Sequence, residues 1–582
     1  MGSERCSWAL RAVVASSLLL GCGASSPRYA LAPVVTRDQD LDAIAHACKK
    51  NEKGEEECSP ELYVSPFVWD GVDNTLFRPL SRVFAADPAG PAANVNALDE
   101  LPDSSWFVNR IGVKPMTPQE VASGYCAEGP VLDPNDEDGS WVIDHGKDNG
   151  ANPGFRVKVR GTKYMFKLDE VQVERATAAT AIAARFYYAA GYWAPCDSVV
   201  YFRRSLLRLT PGLTIQPNVG KSIPLDDKRL DEMLIKTGRR GPLYRATASR
   251  WLPGVAVGPF TYAGRRDDDP SDVIPHEDRR DLRGARILAA WLNHFDTREQ
   301  NTMATWMAAD TGREQSSPGH VRHWIIDLGD CFGSQWSIDD LWKRLGYSNV
   351  FDWGDIGYDF VTLGAVERPW DRGRIDPEAS IFGYYRTEDF VPDDWRGEYP
   401  NPAFGRMQED DAAWGTRILA RFTPDHIRAV VRIGDFTNPK HEEFLVKTLI
   451  ERQAILQRRY FRKLSPVTDL RTTPRGEICG VDLARRTNTY EPGRFAYRAT
   501  YEPWGGKPTT VRVTTGSDGE VCLDTPVRPE VHGKAEQDPL RAGIYRLWNG
   551  ASDGPLVVHV RDLAKGPGER PHAIVGIERP KG

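Results

Sequence analysis

Several polar residues lie close together in two stretches of the chain. In WLNHFDTREQNT, Asp296 and Asn301 follow His294 directly after a segment with the pattern of a helix. In HWIIDLGDCFGS, an apolar run ends on Asp327, and a glycine follows two residues later. Carboxylate and amide oxygens are ligands for Mg²⁺, and a positioned carboxylate can accept a proton from a hydroxyl group. Together the two stretches predict a metal and phosphate site.

A strand lysine supplies the cation that such a site needs. Phosphoryl transfer depends on positive charge at the phosphates, carboxylates for the metal and an acceptor held in line. Lys167 is central in a predicted strand, from which its ammonium group would project into a cleft. Glu174, at the start of the next predicted helix, would pair with it. Asp296 would then orient the attacking group, while Asn301 and Asp327 would bind the metal.

The elements around these residues predict an α+β fold. FRVKVRGTKYMFKLDE reads as a hairpin with its turn at Gly161 and Thr162. VQVERATAATAIAARFYYAAG follows as a helix that is apolar nearly all round and therefore buried, with Gly191 at its end. YWAPCDSVVYF reads as a further strand. NTMATWM and HVRHWIID read as two strands that follow the first polar stretch.

The composition is that of a globular protein. The 582 residues are 40% hydrophobic and 27% charged, which excludes a disordered chain. The net charge of −6 provides no overall basic field, so nucleic acid is not an expected partner. We divide the chain into a signal peptide (1–22), a tether and irregular segment (23–90), a core (91–466) and a C-terminal β-rich domain (467–582).

The N-terminus has the features of an export signal. Arg5 and Arg11 precede a short apolar run, which is too short to span a membrane and ends in LLGC. This ending resembles a bacterial lipobox, which implies that Cys22 carries lipid and anchors the protein in a Gram-negative cell envelope. Gly23 and Ala24 provide no Asp retention signal, so the outer membrane is favoured over the inner. The alternative is an ordinary signal peptide with an incidental cysteine.

The cysteines fit an oxidising compartment. With Cys22 acylated, the mature chain retains seven, and the odd number leaves at least one free. Cys48 and Cys58 bracket a charged loop and predict a local disulfide, while Cys479 and Cys522 fall in the C-terminal region and could pair. No CxxC pair occurs, so a structural zinc site is not expected.

The spacing of the polar residues carries a resemblance to a known superfamily. HFDTREQN matches the kinase catalytic-loop pattern H-x-D-x-x-x-x-N, and DLG resembles the metal-binding D-F-G. With Lys167 in a preceding strand, the order resembles atypical branches of the protein-kinase-like superfamily, such as HipA-type toxin kinases and secretory-pathway kinases. The resemblance implies a two-lobed protein-kinase-like α+β core, Mg²⁺ and ATP as cofactors, and a protein or small-molecule hydroxyl as acceptor.

The chain also departs from the kinase pattern. No G-x-G-x-x-G is present, and GKDNGANPGF, with Gly150 and Gly154, is a weak replacement at the phosphates. Lys167 and Glu174 are closer in sequence than the typical kinase pair, and no A-P-E follows. The alternative is therefore a pseudokinase or a structural, scaffolding lipoprotein that keeps the fold without turnover.

A narrower resemblance covers residues 94 to 465. The segment GPFTYAGRRDDDPSDVIPHEDRRDLRGARILAAWLNHFD is similar to a signature of an uncharacterised family of large bacterial lipoproteins, which implies no established activity.

A zinc hydrolase is a competing reading of the same region. His294, Asp296, His320 and His323 could surround a metal ion. However, His320 and His323 are three residues apart on a predicted strand, so they would point to opposite faces.

Overall fold

We analysed a computed structural model of the protein. It describes residues 39–50, 56–84, 89–128, 132–133, 141–147, 152–169, 172–215, 221–308, 318–333, 343–526, 541–563 and 572–582. The signal peptide with Cys22, and Gly150, lie outside these ranges.

The first half of the chain forms an antiparallel-rich sheet with helices beside it. Its elements are β1 (Ile44–Ala45), β2 (Ala47–Lys50), β3 (Glu56–Ser59), α1 (Phe67–Val72), a π-helical turn (Asp73–Phe77), α2 (Arg78–Phe84), α3 (Pro118–Ser123), β4 (Trp141–Gly146), β5 (Gly154–Val159), β6 (Thr162–Lys167), α4 (Arg175–Ala190), β7 (Asp197–Phe202), β8 (Leu207–Leu209), β9 (Thr214–Ile215), β10 (Ile223–Pro224), α5 (Asp227–Lys236), β11 (Arg239–Arg240), β12 (Leu243–Arg250) and β13 (Val255–Ala256).

Seven of these strands make one sheet, in the order β11-β12-β6-β5-β4-β8, with β7 also paired to β12. The predicted hairpin is confirmed as β5 and β6, although its turn lies at Arg160 and Gly161, both with positive φ. In the register, Lys167 lies opposite Gly154 on one side and Thr247 on the other. This places Lys167 at the end of a strand in the middle of the sheet.

Helix α4 is buried along almost its whole length. Small alanines let neighbouring elements approach closely, and every residue from Arg175 to Ala190 is buried except Tyr188. Asp169 stabilises its first turn by accepting from the amides of Glu174 (2.9 Å) and Thr177 (3.0 Å). The prediction of a buried helix ending at Gly191 is confirmed.

The next part of the chain is mainly helical. Its elements are α6 (Arg280–Leu292), β14 (Thr302–Ala308), β15 (Pro318–Ile325), α7 (Trp353–Thr362), α8 (Pro369–Arg372), α9 (Pro402–Gly405), α10 (Glu409–Leu419), α11 (Pro424–Arg432) and α12 (Pro439–Lys463). Here β13, β14, β15 and β1 form a four-stranded sheet. The apolar faces of α4, α6, α10, α11 and α12 share one hydrophobic core, whereas the seven-stranded sheet has a separate one.

The C-terminal part is rich in β-structure. Its elements are β16 (Val467–Thr472), β17 (Ile478–Asp482), α13 (Leu483–Arg486), β18 (Arg498–Pro503), β19 (Thr509–Val511), β20 (Val513–Thr515), β21 (Glu520–Leu523), β22 (Ala542–Trp548), β23 (Leu556–Asp562) and β24 (His572–Glu578). Two sheets, β16-β17-β21-β20 and β19-β18-β22-β23-β24, enclose a third core. The change from α12 to β16 falls close to the expected boundary at 466.

Two stretches contain more structure than the sequence predicts. The range 23–90, expected to be a tether, contains β1, β2, β3, α1 and α2 in its described part, and β1 pairs with β15. The range 113–154, for which the sequence indicated no helix or strand, contains α3 and β4. These elements are short and depend on distant partners; β4, for example, pairs in parallel with β8. Local pattern therefore does not predict them.

The described part of the chain contains both predicted disulfides and one that was not predicted. Cys48–Cys58 and Cys479–Cys522 are bonded, as the sequence predicted, and Cys126–Cys196 is a third bridge. Cys331 is the free cysteine of the described part and is buried. Of the helices in the described ranges, none combines the length and apolar character needed to cross a bilayer.

Candidate active site

The hairpin of β14 and β15 brings the two polar stretches together. Thr302 pairs with Ile325, and the amide of Ile326 donates to the carbonyl oxygen of Asn301 at 3.0 Å. Asn301 and Asp327 therefore lie at the same end of the hairpin. The expected proximity of the two stretches, inferred from the sequence, is present in the structure.

Lys167 reaches this end of the hairpin from the seven-stranded sheet. Its Nζ donates to Oδ1 of Asp327 at 2.6 Å. The Lys167 side chain is 15% exposed and that of Asp327 is 39% exposed, so the ion pair borders an accessible space. Asp327 has a φ of 56°, a left-handed conformation that Asp adopts more readily than most residues. The contact joins the seven-stranded sheet to the end of the β14–β15 hairpin.

Electrostatics keep this pair ionised. Burial by itself would raise the pKa of Asp327, but the charges of Lys167, Lys147 and Arg298 outweigh burial and hold the pKa well below its usual range. Burial alone would lower the pKa of Lys167, but the charge of Asp327 has the larger effect, so the pKa of Lys167 is raised. Asp327 is consequently a carboxylate, and Lys167 an ammonium ion, at neutral pH.

Lys147 is a second cation near the site that the sequence analysis missed. Its Nζ donates to the carbonyl oxygen of Asn152 at 2.7 Å. Burial first, and then the charge of Lys167, lowers the pKa of Lys147 to about 8, although Asp327 and Asp330 oppose this. Its position at the start of GKDNGANPGF, the segment proposed to lie at the phosphates, could have indicated this role.

The turn after Asp327 packs against the start of α4. A Cβ on Gly329 would lie 3.2 Å from Oγ1 of Thr180, which explains why a glycine follows Asp-Leu here. Arg175 donates to the carbonyl oxygens of Gly329 and Gly333, both at 3.0 Å, and its guanidinium lies 3.7 Å from Asp330. These contacts fix the position of Asp327 relative to the helix.

Asp296 lies in a different environment on the loop after α6. Its carbonyl oxygen accepts from Nδ2 of Asn301 at 2.8 Å, and its Oδ1 is 2.9 Å from Nε of Arg298. Burial, together with Glu398 and Asp330, raises the pKa of Asp296 well above its usual range against the opposing charge of Arg298. Asp296 is therefore a carboxyl group with high proton affinity beside an ionised Asp327.

His294 supports the loop from the core. It is buried, and a hydrogen bond of 2.9 Å links its Nδ1 to the hydroxyl of Tyr187 on α4. Burial lowers its pKa to about 4, so it is neutral at neutral pH. These contacts make it a positioning residue for the neighbouring Asp296.

Glu174 has a different partner from the one expected. Its carboxylate accepts from the amide of Thr437 at 3.0 Å and also from the Thr437 hydroxyl. The ion-pair partner of Lys167 is Asp327 instead. Glu174 thus attaches the start of α4 to the segment before α12, and the structure gives no support to its catalytic assignment.

Gly154 has a packing role in the structure. A Cβ at this position would lie 2.3 Å from the carbonyl oxygen of Phe166, so any larger residue would force β5 and β6 apart. Gly154 lies directly opposite Lys167 in the register. It therefore helps to position Lys167. The structure does not describe Gly150.

Asp197 is a further acid near Lys167 that sequence reasoning missed. It is buried at the start of β7, and burial raises its pKa to about 6 despite a hydrogen bond from Ser249 and the charge of Lys167. It follows Cys196 directly, so the disulfide to Cys126 anchors its backbone.

The oxygen-rich donor set suits a hard cation. Asp327 is ionised and partly exposed, and the backbone of Asn301 accepts from the amide of Ile326, the residue before Asp327. Mg²⁺ sites in nucleotide enzymes typically use one or two such protein ligands, with phosphates and water completing the shell. The residues present therefore fit Mg²⁺.

The competing zinc site is not assembled in the described ranges. There, His46, Cys48 and Cys58 form the one cluster of at least three potential metal ligands, and the two cysteines are disulfide-bonded. His323 stacks on Trp106 with ring centroids 3.4 Å apart, while His294 contacts Tyr187.

Comparisons of the chain with protein-family models, with curated proteins and with solved structures find no match. Any functional assignment must therefore come from the geometry.

Proposed function

We propose that the protein is an envelope lipoprotein with an atypical kinase-like core, and that it transfers the γ-phosphoryl group of ATP to a hydroxyl group in a Mg²⁺-dependent reaction. The observation that carries the proposal is the 2.6 Å ion pair between Lys167, on the seven-stranded sheet, and Asp327, at the end of the β14–β15 hairpin. A cation and a metal-binding carboxylate from two sheets meet beside Asn301, in the order that phosphoryl transfer requires.

Each residue then has a distinct role. Lys167 and Lys147 hold phosphate oxygens from the side of the sheet. Asp327, with Asn301, would bind Mg²⁺, which when present neutralises charge on the phosphates. Asp296 orients the attacking hydroxyl and accepts its proton when ionised, the form that Arg298, with its Nε 2.9 Å from Oδ1 of Asp296, favours.

The rival proposal is a pseudokinase that binds protein partners without turnover. The absence of a G-x-G-x-x-G pattern favours it.

Thermal unfolding of the exported protein, measured with and without nucleotide, distinguishes the active kinase from the pseudokinase. We expect ATP with Mg²⁺ to raise the Tm, because a ligand that binds only the folded state stabilises it. Stabilisation without release of ADP in the presence of candidate acceptors would favour the pseudokinase. No stabilisation by any common nucleotide would contradict the kinase proposal and leave the non-catalytic, protein-binding alternative.

The proposed anchor has its own test. Mass spectrometry of the mature protein should find diacylglycerol on Cys22, and Cys22→Ser should leave the precursor unprocessed or release the protein into the soluble fraction. A mature N-terminus at another residue would contradict the anchor without affecting the kinase proposal.

A further inference from the structure

Apolar side chains are concentrated on one outer surface of the protein. Most of the exposed large apolar residues in the described ranges fall in two segments, 62–80 and 350–366. A hydrogen bond of 3.2 Å from Nε1 of Trp353 to the carbonyl oxygen of Thr75 places these segments side by side. Exposed apolar patches of this kind mark interaction surfaces.

Helix α7 is the main feature of this surface. It has no buried residue, although Phe360 is 81% exposed and Leu363, which caps its C-terminus, is 89% exposed. A surface helix of a globular protein normally buries its apolar side chains against the core. Those of α7 lack such a partner within the described part of the chain.

The neighbouring segment presents its own apolar groups. Val68 is 74% exposed and Trp69 is 57% exposed on α1, and Phe77 follows at 46%. The opposite side of this segment is held on the protein, because Tyr63 and Ser65 donate to Glu299 at 3.2 and 3.0 Å. The apolar groups are therefore displayed by an attached element.

We propose that this apolar surface, formed by Val68, Trp69 and Phe77 with Trp353, Phe360 and Leu363, inserts into the headgroup region of a lipid bilayer. The inference rests on the membrane location proposed above and is independent of kinase activity. Amphipathic helices bind membranes in this way, with the apolar face buried at the boundary between headgroups and acyl chains. Trp is also a favoured residue at that boundary.

The charges around α7 support a lipid occupant over a charged protein partner. Asp355 and Asp359 lie on the helix, and the guanidinium of Arg368 is within 3.2 and 2.7 Å of them. Both acids are thus paired with a neighbouring basic residue. An interface built to recognise a charged partner would present unpaired charge.

The position of the surface in the chain points to the same occupant. The apolar leader and Cys22 precede the segment 62–80 by only a few tens of residues. A chain anchored through Cys22 holds this segment close to the bilayer, which raises its effective concentration at the membrane surface. The apolar surface is therefore within reach of the headgroups.

The test uses the full chain carrying Cys22→Ser, so that no acyl group contributes. Co-sedimentation with phosphatidylcholine vesicles, with and without phosphatidylglycerol, is measured for this parent and for a variant with Phe360→Asp and Leu363→Asp. A matched control carries Val113→Asp and Ile235→Asp, which are exposed apolar residues (58% and 71%) outside the surface.

We expect the parent and the control to bind both vesicle types, and the α7 variant to bind at least about tenfold more weakly. Equal binding by variant and control would contradict the proposal, since the leader would then explain all the affinity. Binding seen only on anionic vesicles and abolished by salt would also contradict it. So would a concentration-dependent dimer, measured by sedimentation velocity, that the α7 variant loses, because the occupant would then be a second copy.

Discussion

Two carboxyl groups of the candidate site, Asp296 and Asp327, have surroundings that shift their pKa values in opposite directions. Asp327 faces Lys167, Lys147 and Arg298, which together hold its pKa well below the usual range. Asp296 is buried near Glu398, and its pKa is raised well above the usual range. One group is a permanent anion, and the other has high affinity for a proton.

This contrast indicates that the two carboxyl groups have different chemical roles. Titratable groups whose environments push their pKa values apart usually have different roles, one as a fixed charge and the other in proton transfer. Asp327 is suited to binding a metal ion. Asp296 is suited to a proton-transfer step at the attacking hydroxyl. Substitution of Asp296 should therefore affect the transfer rate, whereas substitution of Asp327 should affect Mg²⁺-dependent binding.

The largest expected effect comes from Asp296→Asn. It should lower the rate of phosphoryl transfer by about 10²–10⁴-fold, because the general base is lost, while nucleotide affinity stays within about threefold. The main-chain contact to Asn301 is retained. Rates and affinities are measured in parallel, with Asp482→Asn as control, since Asp482 is another buried carboxyl with a raised pKa, in the β-rich domain.

A transfer rate that Asp296→Asn leaves unchanged, or an equal loss in the Asp482→Asn control, would contradict the role of Asp296.

Asp327→Asn should have the next largest effect. Mg²⁺-dependent nucleotide affinity should fall about tenfold or more, because the charge nearest the metal is removed, while binding without Mg²⁺ should persist. The control is Asp469→Asn, since Asp469 also has positive φ (55°) and pairs with an arginine, Arg421, at 2.7 Å. Equal loss with and without Mg²⁺ would show that Asp327 is not the metal ligand.

A smaller effect should follow the protonation of Lys147. A lysine whose pKa is lowered to about 8 carries its charge below that pH and loses it above. Nucleotide affinity should therefore weaken severalfold as pH rises through about 8. Lys147→Arg should keep its affinity across this range, because arginine stays charged. An identical pH profile for the two proteins would contradict a phosphate-binding role for Lys147.

An effect of a different kind, on stability, concerns Glu299. Burial, and then the charge of Asp70, raise its pKa from 4.5 to about 7, against the hydrogen bonds from Ser65 and Tyr63 and the charge of Arg78. The folded state thus binds this proton more tightly than the unfolded chain. The contribution of protonated Glu299 to the free energy of unfolding is fully present below about pH 4.5. It is lost as pH rises through 7, which lowers the stability by up to about 3 kcal/mol.

The change in Tm between pH 5 and pH 8 should be smaller in Glu299→Gln than in the wild type. Glu409→Gln, which alters a carboxylate paired with Arg459 at 2.7 Å, is the control. Parallel curves for the wild type and Glu299→Gln would contradict the assignment.

Local sequence signals predicted the elements that depend mainly on local interactions. Apolar content predicted the buried helix α4, and Gly191 predicted its end. The β14–β15 hairpin was predicted as well, and with it the proximity of Asn301 and Asp327. These features follow from periodicity and capping within a few residues.

The remaining features depend on contacts between distant segments. Glu174 accepts from Thr437, 263 residues away, and no spacing pattern shows such a pairing. Lys147 and Asp197 come near Lys167 only when β4, β6 and β7 join one sheet. The opposite pKa shifts of Asp296 and Asp327 likewise arise from neighbours that tertiary packing supplies.

Calorimetric titration of ATP against the wild type, with and without Mg²⁺, tests the central claim most directly. Lys167→Ala is compared with Lys158→Ala, an exposed lysine of the adjacent strand β5. We predict Mg²⁺-enhanced binding to the wild type and to Lys158→Ala, and at least about tenfold weaker binding to Lys167→Ala even without metal. Undetectable binding of ATP and GTP to the wild type with any common divalent ion, or equal affinity in both lysine variants, would contradict the account.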